Sequence, residues 1–334
     1  MKVNEKSCIL NPSVPIGIST SCHNIARKLY LEITSACNSS CIHCFNDSGI
    51  SKNEMSLSDV RNICTSLLRS KTIQTIILSG GEAALHPSFK AIALMLLLYS
   101  NVQVLSNGKA LNDELIDFLI NNGIHVQITL NGTTNAIDEQ IRGIGFDKTV
   151  ATIKRFDAMN ASSLLSITMT LCKLNYQQIE AMAEFCSTIH VNHLIYSFVY
   201  KKGRAVANWE ALKLSIPEKI DCIDRVAKLQ RHYAQTIDIR TSGFKQLARE
   251  LGQISAEDDY SCYDMAETLS VDGNLNVSLC PRIDRYLECQ HIKPAHMVDL
   301  SDMQIIIPSR NHTDRCGSCG AKSACIVGCL DYPY

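Results

Sequence analysis

The sequence predicts an α/β fold, a partial six-strand barrel of repeated βα units followed by a cysteine-rich C-terminal domain, and three observations carry that reading. Between Lys28 and Val199, short apolar runs rich in β-branched residues alternate with longer stretches of helical period. After about Lys201 the alternation gives way to helices and then to a tail with little regular period. The chain also holds 16 cysteines in 334 residues, crowded near residue 40 and beyond residue 260.

The expected strands are LYLEIT (29–34), TIIL (75–78), VQVLSN (102–107), HVQITL (125–130), LSITMTL (165–171) and HLIYSFV (193–199). Helices fill the gaps. From Ser58 to Ser70 apolar residues recur at Val60, Ile63, Leu67 and Leu68, and from Asn112 to Ile120 at Leu115, Ile116, Leu119 and Ile120, the spacing of one-sided helices. Further helices are expected over 216–234 and 241–252, and a hairpin around Asp272-Gly273-Asn274. Six parallel strands with crossover helices build either a partial barrel or a doubly wound open sheet, and periodicity alone does not choose. Both place ligand chemistry at the carboxyl ends of the strands. The expected organisation is an N-terminal extension (1–27), the barrel (28–205), and a domain of bridging helices and clustered cysteines (206–334).

With 46% hydrophobic residues, 19% charged residues and a formal net charge of −1, the composition is that of an ordinary globular protein and points to neither nucleic acid nor an anionic membrane surface. The longest apolar stretch, Ala91 to Tyr99, falls well short of the roughly 18 residues of a membrane span. Pro12 and Pro15 interrupt the N-terminus where a secretory signal would be continuously apolar. The expected location is therefore cytoplasmic, where clustered thiols bind metal rather than form lasting disulfides. Isolated Cys8, Cys22, Cys64, Cys172, Cys186 and Cys222 are expected to be small buried hydrophobes.

Cys37-Asn38-Ser39-Ser40-Cys41-Ile42-His43-Cys44 lies in the loop leaving the first strand. Three thiolates in one tight loop hold three irons of a [4Fe–4S] cluster and leave the fourth open and reactive. A zinc knuckle is the bland alternative, but zinc sites favour four ligands and a CxxC step. One strand later comes Ser79-Gly80-Gly81-Glu82. CxxxCxxC after the first strand of a βα repeat, followed by GGE after the second, resembles the radical S-adenosylmethionine (SAM) superfamily. The resemblance implies that the open iron is chelated by SAM and that one electron from the cluster cleaves SAM to a 5′-deoxyadenosyl radical, which abstracts hydrogen from a substrate. It also implies that Gly80, Gly81 and Glu82 contact the SAM amino group and that His43 contacts adenine. Ser106-Asn107, Thr129 and Asn131 then fall at the carboxyl edge where the family binds the ribose and carboxylate. The block Asp138 to Phe146 resembles one found in peptide-modifying relatives, which makes Arg142 a candidate partner for the SAM carboxylate, with a surface arginine as the alternative.

Near the C-terminus, Cys316-x2-Cys319-x5-Cys325-x3-Cys329, preceded by Cys262 and Cys280, implies metal. Beside the N-terminal motif it resembles the SPASM domain and its shorter twitch variant, which carry auxiliary [4Fe–4S] clusters. By that resemblance Cys262, Cys280 and Cys329 serve one auxiliary cluster and Cys316, Cys319 and Cys325 another, each short of a fourth ligand unless Cys289 or substrate supplies it. A single cluster on Cys262, Cys280, Cys316 and Cys319 is the twitch alternative. The function implied is maturation of a ribosomally made peptide by crosslinking, thioether formation, epimerisation or oxidation. Small-molecule oxidation or decarboxylation is the second reading and an iron–sulfur electron carrier the third. Only some 27 residues precede the first strand, where the family often carries a leader-binding module, so the resemblance implies a separate leader-recognition protein or a short precursor bound directly, together with a flavodoxin-like or ferredoxin-like reductase. No catalytic acid, base or hydrogen donor is singled out.

Overall fold

The computed structural model describes residues 27–50, 52–67, 73–242 and 268–278, with the backbone of 295–296. In chain order the strands and helices are β1 (Lys28–Thr34), α1 (Leu57–Leu67), β2 (Thr75–Gly80), α2 (Phe89–Leu97), β3 (Asn101–Ser106), α3 (Asp113–Asn121), β4 (His125–Thr129), α4 (Asn135–Arg142) and α5 (Phe146–Ala158). They continue with β5 (Leu165–Leu171), α6 (Ile179–Thr188), β6 (His193–Phe198), the short α7 (Arg204–Ala207) and α8 (Trp209–Leu212), α9 (Ile216–His232), β7 (Asp238–Ser242), β8 (Thr268–Val271), β9 (Asn276–Ser278) and β10 (Ala295–His296).

The strand order is β10-β9-β8-β1-β2-β3-β4-β5-β6-β7. From β8 through β7 every neighbouring pair is parallel, while β9 runs antiparallel to β8 and β10 to β9. The sequential order β1 to β7 has no reversal point, so the doubly wound alternative is excluded and the sheet winds in one sense as in a barrel. All six expected strands form within two residues of their expected ends. Two further parallel strands flank them. Thr241 and Ser242 belong to β7 instead of starting a helix, and residues 243–252 lie outside the described residues. The short polar run DIRTS carries little strand signal of its own; pairing with β6 from His193↔Asp238 to Ser197↔Ser242 decides it. The expected hairpin joins β8 to β9, with Asp272 Oδ1 accepting from Asn274 N at 2.8 Å and Asn276 N at 2.9 Å.

Helix ends follow local chemistry. Asn112 caps α3 by accepting from Leu115 N at 2.9 Å, and Ser215 and Glu218 form a capping box on α9. The outward strand positions, among them Leu29, Leu31, Ile33, Val126, Ile128, Ile167 and Met169, are fully buried in one core with helix residues such as Val60, Ile63, Ile92, Leu96, Ile153 and Phe156. The alternate positions are different in kind. Gln103, Gln127, Thr129, Thr168, Thr170 and Ser197 are half-buried, and Gln103 Nε2 donates to Gln127 Oε1 at 3.1 Å. A closed barrel fills its interior with branched aliphatics; this inner wall mixes amides and hydroxyls with a few aliphatics, Ile77, Leu105 and Ile195. Cys64, Cys172, Cys186 and Cys222 are buried as expected, whereas Cys8 and Cys22 lie outside the described residues. Among the described residues, no helix is long and apolar enough to cross a membrane.

Two outcomes follow from the two faces of β4. Ile128→Ala is expected to lower unfolding free energy in urea by about 2–5 kcal/mol, and Gln127→Ala on the inner wall by clearly less. At the amino end of β4, burial first, and then the charge of His193, hold the His125 imidazole down at about 4. Between about pH 6.5 and 4 the unfolded chain therefore binds a proton that the folded chain refuses, so stability falls as pH falls through that window. His125→Gln should flatten that part of the pH–stability curve.

Candidate active site

The loop after β1 is shaped by its own backbone before any cofactor is considered. Ser35 N donates to Asn53 O and Gly49 N to Ser35 O, each at 2.9 Å, and Ser35 Oγ accepts from Asn53 N at 2.8 Å, which closes residues 35–53 into a compact excursion at the carboxyl edge. Cys37, Cys41 and Cys44 stand half-buried on it as free thiols, with Cys44 N donating to Cys41 O at 3.2 Å. Burial pushes the Cys37 thiol up and the Cys41 thiol up to about 11. Iron binding must therefore displace protons that the empty loop would keep.

The donor set fits a cluster. Three thiols on one loop are the kind of ligand an iron–sulfur cluster takes. Ser39 Oγ, His43 Nδ1, Ser48 Oγ and Arg204 Nη2 are all buried without a hydrogen-bond partner. Orphaned polar atoms are rare in folded proteins, and here four meet in or against one loop.

The loop after β2 locks onto this one. Gly81 N donates to Thr34 O and Glu82 N to Ala36 O, each at 2.8 Å. A Cβ on Gly80 would stand 2.1 Å from Thr34 O, and one on Gly81 would stand 2.3 Å from Ala36 O. The glycines are required by the approach of the cysteine loop itself, a reason separate from the ligand contact that the motif implies. Glu82 is only 1% exposed; Ser106 Oγ and Asn107 N donate to its two oxygens, each at 2.7 Å. Burial pushes its carboxyl up, against the pull of those two donors. His86 holds Met55 O through Nε2 at 2.9 Å and accepts from Ser88 N at Nδ1, 3.0 Å, a structural role.

The next two strand ends complete the cradle. Asn107 Nδ2 donates to Asn38 Oδ1 at 2.7 Å and lies 3.9 Å from Cys37 Sγ. Thr129 is half-buried at the end of β4. Asn131 is fully buried, accepting from Thr170 N at 2.8 Å and facing His43 Nε2 through Nδ2 at 3.0 Å. An amide nitrogen only donates, so His43 Nε2 accepts, and the lone proton sits on the orphaned Nδ1. Burial, then the charges of Arg142 and Arg204, hold His43 down at about 4, so it is neutral.

Arg142 is 1% exposed, which excludes the surface alternative. Its Nη1 donates to Asp138 at 3.2 and 3.3 Å and its Nη2 to Asn107 O at 2.5 Å. Asp138, fully buried, also accepts from Asn131 N at 2.7 Å. The pair thus ties the ends of β3 and β4 together. Lys109 adds a second buried cation, donating to the carbonyls of Arg142, Gly143 and Ile144 at 3.3, 3.0 and 2.8 Å, where the negative end of the α4 dipole favours it. The same α4 end meets the cysteine loop: Ile42 N donates to Ile141 O at 2.9 Å, and Cys41 Sγ lies 3.8 Å from Arg142 O.

Sequence reasoning missed Asn38, Lys109, Asp138, Gly203 and Arg204. The i,i+4 spacing of Asp138 and Arg142 was a usable signal; nothing local marks Lys109. The candidate auxiliary ligands Cys262, Cys280, Cys316, Cys319, Cys325 and Cys329 lie outside the described residues. Removing one partner of the buried pair, Asp138→Ala, should cost about 3–5 kcal/mol in urea unfolding, because it strands a buried guanidinium. The double variant Asp138→Leu/Arg142→Met should lose less.

Residues 31–186 match the radical SAM superfamily. Over 202 residues the chain is 30% identical to a sporulation killing factor maturation protein, SkfB, of Bacillus subtilis, covering 59% of this chain and 48% of that one, so it spans about half the length of that relative. It is 25% identical to the mycofactocin maturase MftC of Mycobacterium tuberculosis over 314 residues, 90% of this chain and 77% of that one. Its fold is similar to Streptococcus suis SuiB bound to precursor peptide SuiA, with TM-score 0.71, 14% identity, and coverage of 92% of this chain and 72% of that chain. It is also similar to anSMEcpe with bound AdoMet, with TM-score 0.63, 14% identity, and coverage of 90% and 87%. Over residues 31–186, which include the interlocked loops at the ends of β1 and β2, the chain matches the radical SAM superfamily.

Proposed function

We propose that this protein is a cytoplasmic radical SAM enzyme that modifies a ribosomally made peptide. The domain implies a [4Fe–4S] cluster and SAM, and the observation that supports their placement is the cysteine loop held against Gly80-Gly81-Glu82 with four orphaned polar atoms around it. Cys37, Cys41 and Cys44 would hold the cluster. When bound, the cluster supplies one electron to the sulfonium of SAM, giving methionine and a 5′-deoxyadenosyl radical that takes hydrogen from the peptide.

The chain's own residues do the rest by positioning. A carboxylate offers roughly four lone-pair sites, and Ser106 and Asn107 occupy one on each oxygen of Glu82. The remaining capacity suits the ammonium of SAM, to which burial gives added strength. Neutral His43, steadied by Asn131, would lie against the adenine. Arg142, Ser106, Asn107 and Thr129 form the polar edge for the ribose and carboxylate, with Arg142 acting through Asn107 as the geometry has it.

Three lines support a peptide as substrate: the maturation activities named for SkfB and MftC, the precursor peptide named for SuiB, and the C-terminal cysteine pattern. In this reading, residues 206–334 carry one or two auxiliary [4Fe–4S] clusters on Cys262, Cys280, Cys316, Cys319, Cys325 and Cys329. A separate leader-recognition protein and a flavodoxin-like or ferredoxin-like reductase serve as partners.

Anaerobically reconstituted protein with dithionite is expected to release 5′-deoxyadenosine from SAM, and replacing Cys37, Cys41 and Cys44 by alanine should abolish the release. Wild-type protein that yields none sinks the proposal. Iron analysis should return about eight to twelve irons per chain, four for each cluster; four irons would remove the auxiliary clusters. Co-expression with a short peptide encoded beside its gene should give a mass change in that peptide that the triple alanine variant does not produce.

A further inference from the structure

Just beyond β6 the chain folds back over the cysteine loop and takes hold of its carbonyls. Gly203 has φ +57°, and a Cβ there would stand 2.4 Å from Cys44 O and 2.7 Å from Phe45 O. That contact lets Arg204 N donate to Cys44 O at 3.0 Å. The guanidinium of Arg204 reaches across the loop: Nε donates to Cys41 O at 2.9 Å, and Nη1 donates to Ser48 O at 2.8 Å and to Asp47 Oδ1 at 3.2 Å. One turn on, Asn208 Nδ2 donates to Ile42 O at 3.3 Å and to Arg204 O at 2.8 Å. Four carbonyls of the loop, those of Cys41, Ile42, Cys44 and Ser48, are therefore held by one segment about 160 residues distant. Arg204 Nη2 remains buried and unbonded.

Core packing does not account for this arrangement. A buried or half-buried arginine could have been replaced by apolar groups at little cost, and the loop carbonyls could have been met by neutral donors such as Asn208. What arginine alone adds is a rigid fork and a charge that is always present. The cluster proposed for this loop gains one negative charge on reduction, and a fixed cation at bonding distance from a ligand residue's carbonyl stabilises the reduced form.

Resting on that proposed cluster, we infer that Arg204 is a positioning residue of the cluster site: it sets the shape of the Cys41–Cys44 turn, and its charge raises the reduction potential of the cluster held there.

The test is potentiometry of anaerobically reconstituted full-length protein, following the part of the reduced-cluster EPR signal that changes on adding SAM, which separates the triad's cluster from any auxiliary one. In Arg204→Gln the ratio of reduced to oxidised cluster at a fixed potential should fall about tenfold, equivalent to about 59 mV for one electron. Arg204→Lys, which keeps the charge and loses the fork, should stay within about threefold of wild type. Asp47→Asn removes the countercharge facing Arg204 and should move the midpoint the other way, to higher potential. Opposite signs for two loop-loosening substitutions are not what a purely structural role gives. An Arg204→Gln protein with full iron and a wild-type midpoint overturns the inference, as does an Asp47→Asn midpoint that is unmoved or lower. Wild-type protein with no SAM-responsive signal fails the proposed function instead, so the two failures are distinguishable.

Discussion

Two backbone hydrogen bonds, Gly81 N to Thr34 O and Glu82 N to Ala36 O, join the loops after β1 and β2 at a separation that leaves no room for a side chain. The rest of the site is arranged around that contact. Because β1 and β2 are paired in parallel up to Thr34↔Gly80, their loops leave the sheet side by side, and the glycines let them merge into one surface. The cysteine loop is consequently held by the sheet itself. Glu82 is drawn into the same knot, and its carboxylate then organises the end of β3 through Ser106 and Asn107. One contact thus propagates across three strands.

Charge is handled in the same economical way. Asp138, Arg142, Lys109 and Glu82 are all buried at the carboxyl edge, where each uncompensated ion would cost several kcal/mol. Each is paired or capped: Arg142 on Asp138 and Asn107 O, Lys109 on the α4 carbonyls, and Glu82 on two donors. Arg142 and Arg204 come near the triad through the backbone, with Arg142 O 3.8 Å from Cys41 Sγ and Arg204 Nε on Cys41 O, and their charges pull the Cys41 and Cys37 thiols down against burial, which prevails.

Much of this was legible in the sequence, and the part that was not has a physical reason. The six strands could be read because each is a short run rich in apolar and β-branched residues, some alternating outward apolar with inward polar as HVQIT and LSITMTL do, others, like TIIL, continuously apolar. Cys37, Cys41, Cys44 and Glu82 could be read because they follow those strands at motif spacing. β7 could not, being short, polar and dependent on β6 for its conformation, and β8 could be read only as an arm of the expected hairpin, not as a parallel partner of β1. Lys109, Gly203 and Arg204 act across long sequence separations on backbone carbonyls, and a carbonyl leaves no mark in a sequence. Arg142 was found but misjudged as equally a surface residue, because burial of an arginine is decided by Asp138 and Asn107 together, and only the i,i+4 half of that arrangement is local.

The inner wall carries the same logic into the space beside the triad. Burying an amide or hydroxyl without a partner costs about 1–3 kcal/mol; on the inner wall Gln103 meets Gln127 and Ser197 meets Thr170, and Thr168 Oγ1 is left without a partner. A fold selected for stability alone would have filled the whole of this face with valine and isoleucine, as it filled the outer one; here aliphatics stand only at a few positions such as Ile77, Leu105 and Ile195. Polar residues there are tolerable if solvent or a polar ligand meets them. The peptide proposed as substrate brings a carbonyl and an N–H with every residue, and such inward amides and hydroxyls can meet both without regard to its side chains.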